Sequence, residues 1–228
     1  IPGVDPALCT ESYTDSAAWE AFDPALMTLC SPDPQAFRPP EEEGNVLQVR
    51  LPTNFKAARF ASDEHTALLR ELGDGIDAAR FEVDGEALDL PVKLKVHESV
   101  FVPLAKWAML LTGNYRCVTK DKAIDIKDAV HGDLAQSRGV YNWVIGVCEK
   151  LGASPNDLVP FEKYAAAAMD LVRPSSAARA LFNGAPNIER TDRLVQTIGG
   201  QYGMKNDIVD RTVALIDERL AANRKAAG

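Results

Sequence analysis

The chain has 228 residues, with 25 Lys+Arg against 33 Asp+Glu, a net charge of -8 and 46% hydrophobic residues. At about 150 residues per domain this length predicts one or two domains, and the apolar fraction suits a globular core rather than a disordered chain. An acidic chain offers no favourable field to nucleic acid or an anionic membrane, no run of about 18 apolar residues exists to span a bilayer, and four cysteines without a CxxC argue against a disulfide scaffold or structural zinc.

The first residue is Ile1, and no charged segment followed by an apolar run opens the chain. That predicts a processed end or a cut within a longer protein. Residues 1–45 hold nine acids, one base and seven of the 14 prolines, while the remainder balances 24 acids with 24 bases. A solvated, loop-rich lead-in is the plain reading of that stretch. The sharper one is the trailing part of a domain.

Residues 45–51 (NVLQVRL) alternate as a half-buried strand does, with 26–30 (LMTLC) as a partner. Leu68, Leu69 and Leu72 share one face of a short helix over 64–72 that closes at Gly73. Residues 78–83 read as a strand ended by Asp84-Gly85. From about Pro91 the pattern is helical to the end. Val96, Val100, Leu104, Trp107 and Leu111 make one stripe, kinked or broken at Pro103. Leu134, Tyr141, Val144, Cys148 and Leu151 make a second, closed by Gly152. A third helix covers 161–171 and a fourth carries Leu194, Val195, Ile198 and Tyr202 up to Gly203. The last carries Ile208, Val209, Val213, Ile216 and Leu220, capped by Asn206 or Asp207. The fold class is therefore α+β: a strand-containing piece over 1–90, then an all-α domain over 91–228.

Common phosphate and nucleophile motifs are absent: there is no GxGxxG, no GxxxxGK[ST] and no GxSxG. His65, His97 and His131 form no i,i+4 pair and read as surface or capping residues. Cys117 and Cys148 read as packed thiols. Two places stand out. Lys106 lies in a strongly apolar helix, and Asn114 follows eight residues later, about 12 Å along it and offset by about 80°. The plain reading is a snorkelling lysine and an Asn C-cap; the functional one is a shared groove. Ser175-Ser176 follows Pro174 and reads as a helix N-cap, ahead of Asn183–Glu189.

These two places, in this order, resemble the C-terminal half of the ketopantoate reductase family. That family pairs an N-terminal Rossmann domain for NADPH with a helical domain like that of 6-phosphogluconate dehydrogenase. Lys106 and Asn114 match its K-x7-N spacing, with Leu110 where the family has a second Asn. Ser175-Ser176, the segment Pro186–Glu189 and Tyr202-Gly203-Met204 follow in the family's order. Ungapped counting back from Gly203 places the family's glutamate on Asn187; Glu189 is the nearest carboxylate, and the ungapped count favours Asn187 as the residue facing Lys106. The resemblance covers about residues 45–223.

The resemblance implies that 1–90 is the remnant of a Rossmann sheet and that the NADPH motif lies outside this chain. It implies reduction of a 2-keto acid or related ketone to the hydroxy acid. Lys106 and Asn114 would be catalytic. Ser175, Ser176, Asn187 and Glu189 would bind substrate. A small keto or hydroxy acid, a possible homodimer through the helical domain, no metal, and a cytoplasmic location complete the expectation. The alternatives are a non-catalytic helical interaction or dimerisation module and a fragment of an opine-type dehydrogenase.

Overall fold

The computed structural model describes residues 3–13, 15–33, 36–37, 48–49 and 53–227. They fall into two compact units: Trp19–Leu104, and Ile1–Ala18 together with Ala105–Gly228.

The first unit is built on a three-stranded sheet. Strand β1 is Cys30–Asp33, β2 Ala36–Phe37, β3 Gln48–Val49 and β4 Thr53–Ala58. Helix α1 runs Asp63–Ala78, and β5 (Arg80–Val83), β6 (Glu86–Asp89), β7 (Val92–His97) and the single turn α2 (Phe101–Leu104) complete it. The sheet order is β1-β4-β7, with β1 antiparallel to β4 and β4 parallel to β7. A parallel pair needs a crossover, and α1 supplies it. This β-α-β unit is the element that a doubly wound sheet repeats.

Three expectations are corrected here. The partner of β1 is β4, not 45–51; of that segment only Gln48–Val49 is described, and it pairs with Ala36–Phe37. Helix α1 does not close at Gly73. It is capped by Ser62, whose hydroxyl accepts from the His65 N–H, and runs through Gly73, where a Cβ would stand 3.0 Å from the Leu94 carbonyl. Glycine is the close-approach residue of the helix, not its end. Finally, 92–97 is a strand rather than the start of a helical stripe. Val92, Leu94 and Val96 alternate with Lys93 and Lys95 at period two, which is the strand period. The spacing of Val96 to Val100 concealed that. Within 78–83, Arg80–Val83 form the strand β5, while Ala78 still belongs to α1. The Asp84-Gly85 turn after β5 has φ of 52° and 84°, the positive values that a tight two-residue hairpin needs.

The helical unit holds α3 (Lys106–Met109), a π turn (Leu110–Asn114), a 3-10 turn (Tyr115–Cys117) and α4 (Ile126–His131). Then come α5 (Leu134–Lys150), α6 (Phe161–Ala168), α7 (Ser176–Phe182), α8 (Thr191–Gln201) and α9 (Asp207–Ala227). Helix α5 is central: Val140, Tyr141, Val144, Val147 and Cys148 are buried. Against it α8 lays Val195 and Ile198, and α9 buries Val209, Val213, Ile216 and Leu220. Gly199 lets α8 meet the Trp143 ring, which an added Cβ would reach at 2.5 Å. The asparagine cap of α9 is Asn206, whose Oδ1 accepts from the N–H groups of Ile208 and Val209.

The acidic lead-in is not solvated throughout. Asp5 caps a 3-10 helix over Pro6–Ser12, and the Gln201 and Tyr202 side chains both donate to the Gly3 carbonyl at 2.7 Å. The first residues therefore join the helical unit, which departs from the division at 90/91.

Candidate functional site

The stretch from Lys106 to Cys117 changes helix type twice. Its packing explains why. A Cβ on Gly113 would sit 2.1 Å from the Tyr164 hydroxyl, so only glycine admits α6 this close. Tyr164 spends that hydroxyl on the Met109 carbonyl at 3.1 Å. Side chains also take the carbonyls of Thr112 (Arg116 Nη1, 3.1 Å), Gly113 (Cys117 Sγ, 3.3 Å) and Asn114 (Ser175 Oγ, 2.6 Å). A π turn disturbs the regular i to i-4 ladder, and buried carbonyls along such a turn need donors from elsewhere. Here they have four.

The π turn decides where Asn114 points. In a plain α-helix Lys106 and Asn114 stand about 80° apart. The wider turn inserts about one residue, equivalent to about 100° of α rotation. By ideal helix geometry such an insertion would bring Asn114 to within about 20° of the Lys106 direction. Lys106, Met109, Leu110 and Asn114 are half-buried, while Trp107, Ala108, Leu111, Thr112, Gly113 and Tyr115 are buried. A cation, an apolar side chain and an amide thus line one partly accessible face at four-residue steps.

Ser175 lies beside this face but is occupied. It is buried, its oxygen accepts from the Ala178 N–H at 3.1 Å, and its proton goes to Asn114. It caps α7 and fixes the end of the π turn. Ser176 is exposed and accepts from Arg179 at 3.3 Å. Burial pushes the Cys117 thiol up, and hydrogen bonding to Ser175 offsets part of that. Cys117 and Cys148 are packed in the core.

Asn187 and Glu189 both precede α8, which begins at Thr191, so a helix-face argument does not apply to them. Asn187 is exposed, accepts from Arg224 at 3.1 Å, and lines a cleft whose walls include none of Lys106, Asn114, Ser175 or Ser176. The Glu189 carboxylate accepts from the Thr191 hydroxyl at 2.8 Å. Its backbone carbonyl accepts from the Tyr115 phenol, which also receives the Thr191 N–H. Burial, followed by the charge of Asp192, pushes that phenol well up. Tyr115 thus ties the entry of α8 to the residue after Asn114. Sequence reasoning missed Tyr115, Tyr164 and Gly113. Among these, Gly113 carried a signal: a glycine inside an apolar helical stripe marks close approach.

No family model matches the chain, and no curated protein does. Among solved structures it is similar to that titled "The ternary structure of D-mandelate dehydrogenase with NADH and anilino(oxo)acetate", with a TM-score of 0.59 and 10% identity. The match covers 85% of this chain and 60% of that one, so this chain spans about three-fifths of that dehydrogenase's length. A likeness at this identity is one of architecture alone: the chain shares the fold of the matched part of that structure.

Proposed function

We propose that the chain is the substrate-side part of an oxidoreductase that reduces a 2-keto acid or related ketone, similar to ketopantoate reductase. The observation that carries this reading is the π turn that returns Asn114 to the Lys106 face. The shared fold with a dehydrogenase supports it. An ammonium beside a carbonyl oxygen stabilises the negative charge that grows there on reduction, and it can deliver the proton. Lys106 has that role. Asn114, held from behind through its backbone by Ser175, orients the substrate with its amide. Leu110 between them gives the apolar part of the substrate a surface.

The resemblance implies NADPH, and the turn from β4 into α1 is not a phosphate cradle of the usual kind. The turn from β4 into α1, Arg59–Ser62, has no glycine, and the first turn of α1 carries Asp63 and Glu64. Those carboxylates oppose a pyrophosphate where a helix N-terminus would otherwise favour it. On this reading the dinucleotide is held by another segment.

The test uses a protein that joins this chain to its dinucleotide-binding part, assayed with NADPH and a panel of 2-keto acids. Lys106→Met should lower kcat by about two to four decades with the melting temperature unchanged. Turnover near that of the wild type would remove Lys106 from the chemistry. The isolated chain should gain no melting temperature from NADPH; a clear gain at sub-millimolar cofactor would place the cradle within it.

A further inference from the structure

Helix α1 meets its sheet with small side chains and turns two leucines away. Its buried residues are Thr66 and Gly73, seven apart and therefore on one stripe. At about 100° per residue, Leu68 and Leu72 stand about 200° and 240° round the helix from Thr66. They are 60% and 56% exposed. A surface helix ordinarily lays its apolar stripe on the core; here part of it lines a groove instead. Leu26, at the end of the 3-10 turn Pro24–Leu26, is 61% exposed on the same groove. Phe60, His65 and Leu69 complete the lining. The groove encloses about 360 Å³ and lies wholly within the first unit. Single exposed leucines are ordinary, whereas three gathered on one concave wall mark an interaction surface.

Charge decides what covers it. Residues 19–31 and 59–78, which supply the lining, hold seven acids against two arginines. Both arginines are taken: Arg59 pairs with Asp63 and Glu98, and Arg70 with Glu98. Glu64 and Glu71 stand four residues before Leu68 and three after it, on its side of the helix. Both are exposed, and neither has an ion pair among the described residues. A second copy docked through this face would set these carboxylates against their own counterparts, because a two-fold interface uses the same patch twice. An anionic membrane would repel them as well. An amphipathic helix fills an apolar groove with residues at i, i+3, i+4 and i+7. Lysines or arginines beside that stripe then meet Glu64 and Glu71.

We propose that the groove beside α1 docks another polypeptide through a basic amphipathic helix. The apolar stripe of that helix seats on Leu26, Leu68 and Leu72, and its cations pair with Glu64 and Glu71. The surface belongs to the sheet-containing unit and makes no use of the Lys106 face.

The probe is a labelled helical peptide of leucine and lysine, about 18 residues long, with its leucines on one stripe. It is titrated with the chain at physiological ionic strength and followed by fluorescence anisotropy. Binding should saturate at one peptide per chain. Leu68→Ser with Leu72→Ser, and separately Glu64→Lys with Glu71→Lys, should each weaken it at least about tenfold. All four positions are exposed, so both variants should keep the wild-type melting temperature. Leu134→Ser with Glu149→Lys, at exposed positions of the helical unit, should bind as wild type does. No binding, no loss in the groove variants, or an equal loss in the helical-unit variant overturns the site. A peptide with glutamate in place of lysine that binds as tightly overturns the basic partner. A dimer of the chain that the leucine variant abolishes in sedimentation, or loss of peptide binding once the dinucleotide-binding part is joined, assigns the groove to another occupant and overturns the proposal. Should a groove variant unfold, wild type decides: the Leu68 and Leu72 amide resonances should shift saturably with the lysine peptide, and unmoved resonances refute the docking.

Discussion

Ser175 donates its hydroxyl proton to the backbone carbonyl of Asn114 at 2.6 Å. One side chain thus closes the π turn and starts α7, because the same oxygen accepts from Ala178. The neighbouring Ser176, though identical in type, is exposed and accepts a hydrogen bond from Arg179.

Ser175→Ala should therefore destabilise the chain by about 1–2 kcal/mol, from a lost cap and an unsatisfied buried carbonyl. Ser176→Ala should fall within about 0.5 kcal/mol of wild type. Urea midpoints for the two variants check this, and equal effects would remove the distinction.

Gly113→Ala should destabilise by about 1–3 kcal/mol through overpacking, since the new methyl meets the Tyr164 hydroxyl and, at 3.0 Å, Ile126. Adding Tyr164→Phe removes the oxygen in the way. The double variant should be less destabilised than the sum of the singles, and a double-mutant cycle measures that coupling. Strict additivity would mean the two residues do not press on each other.

These contacts show which parts of the fold were legible in the sequence. Helices α5, α8 and α9 were readable because each keeps one apolar face at a steady 3.6-residue period and ends on a glycine or begins on an asparagine. Strand β7 was not, because Val92, Leu94 and Val96 run straight into a helical stripe at Val100. The π turn was invisible for a different reason. Gly113 within it packs against Tyr164, 51 positions away, and no local pattern carries such a contact. Lys106 and Asn114 were found by spacing, yet their shared face depends on that turn. The association of Asn187 with Lys106 came from counting along a helix that in fact begins only at Thr191.

Asp192→Asn should destabilise by about 3 kcal/mol, the lower end for breaking a buried ion pair. Asp192 is 1% exposed, and Arg190 loses its two-pronged partner while Asp217 remains. Burial alone would lower the Arg190 pKa, but its bonds to Asp192 and then Asp217 outweigh that and raise it. Asp217→Asn should be milder, since Asp217 is 35% exposed. Chemical denaturation of both variants at neutral pH tests the order.

Alkaline pH should weaken the fold. Burial pushes Cys148 up to about 12 and raises Tyr115, Tyr141 and Tyr164. Each such group keeps its proton in the folded chain after the unfolded chain has begun to lose it, so the unfolded state is favoured as pH rises. The stabilisation is fully present below the unfolded cysteine value of about 8.5 and is lost as pH climbs towards the folded values. Urea midpoints should fall steadily between about pH 8.5 and 11. In Cys148→Ala the early part of that fall should be shallower; an unchanged slope would exclude Cys148 as a source.

The extra residue in the π turn bears on how relatives are to be recognised. In an uninterrupted α-helix, positions seven apart are offset by only about 20°, as are Lys106 and Asn114 across their eight-residue spacing. A homologue with alanine in place of Gly113 and no bulge would keep the same lysine–asparagine face at K-x6-N. Alignments between the two forms require a one-residue gap inside a helix, where gaps are most heavily penalised. Profiles that forbid it would score one form as lacking its asparagine and shift every later position by one.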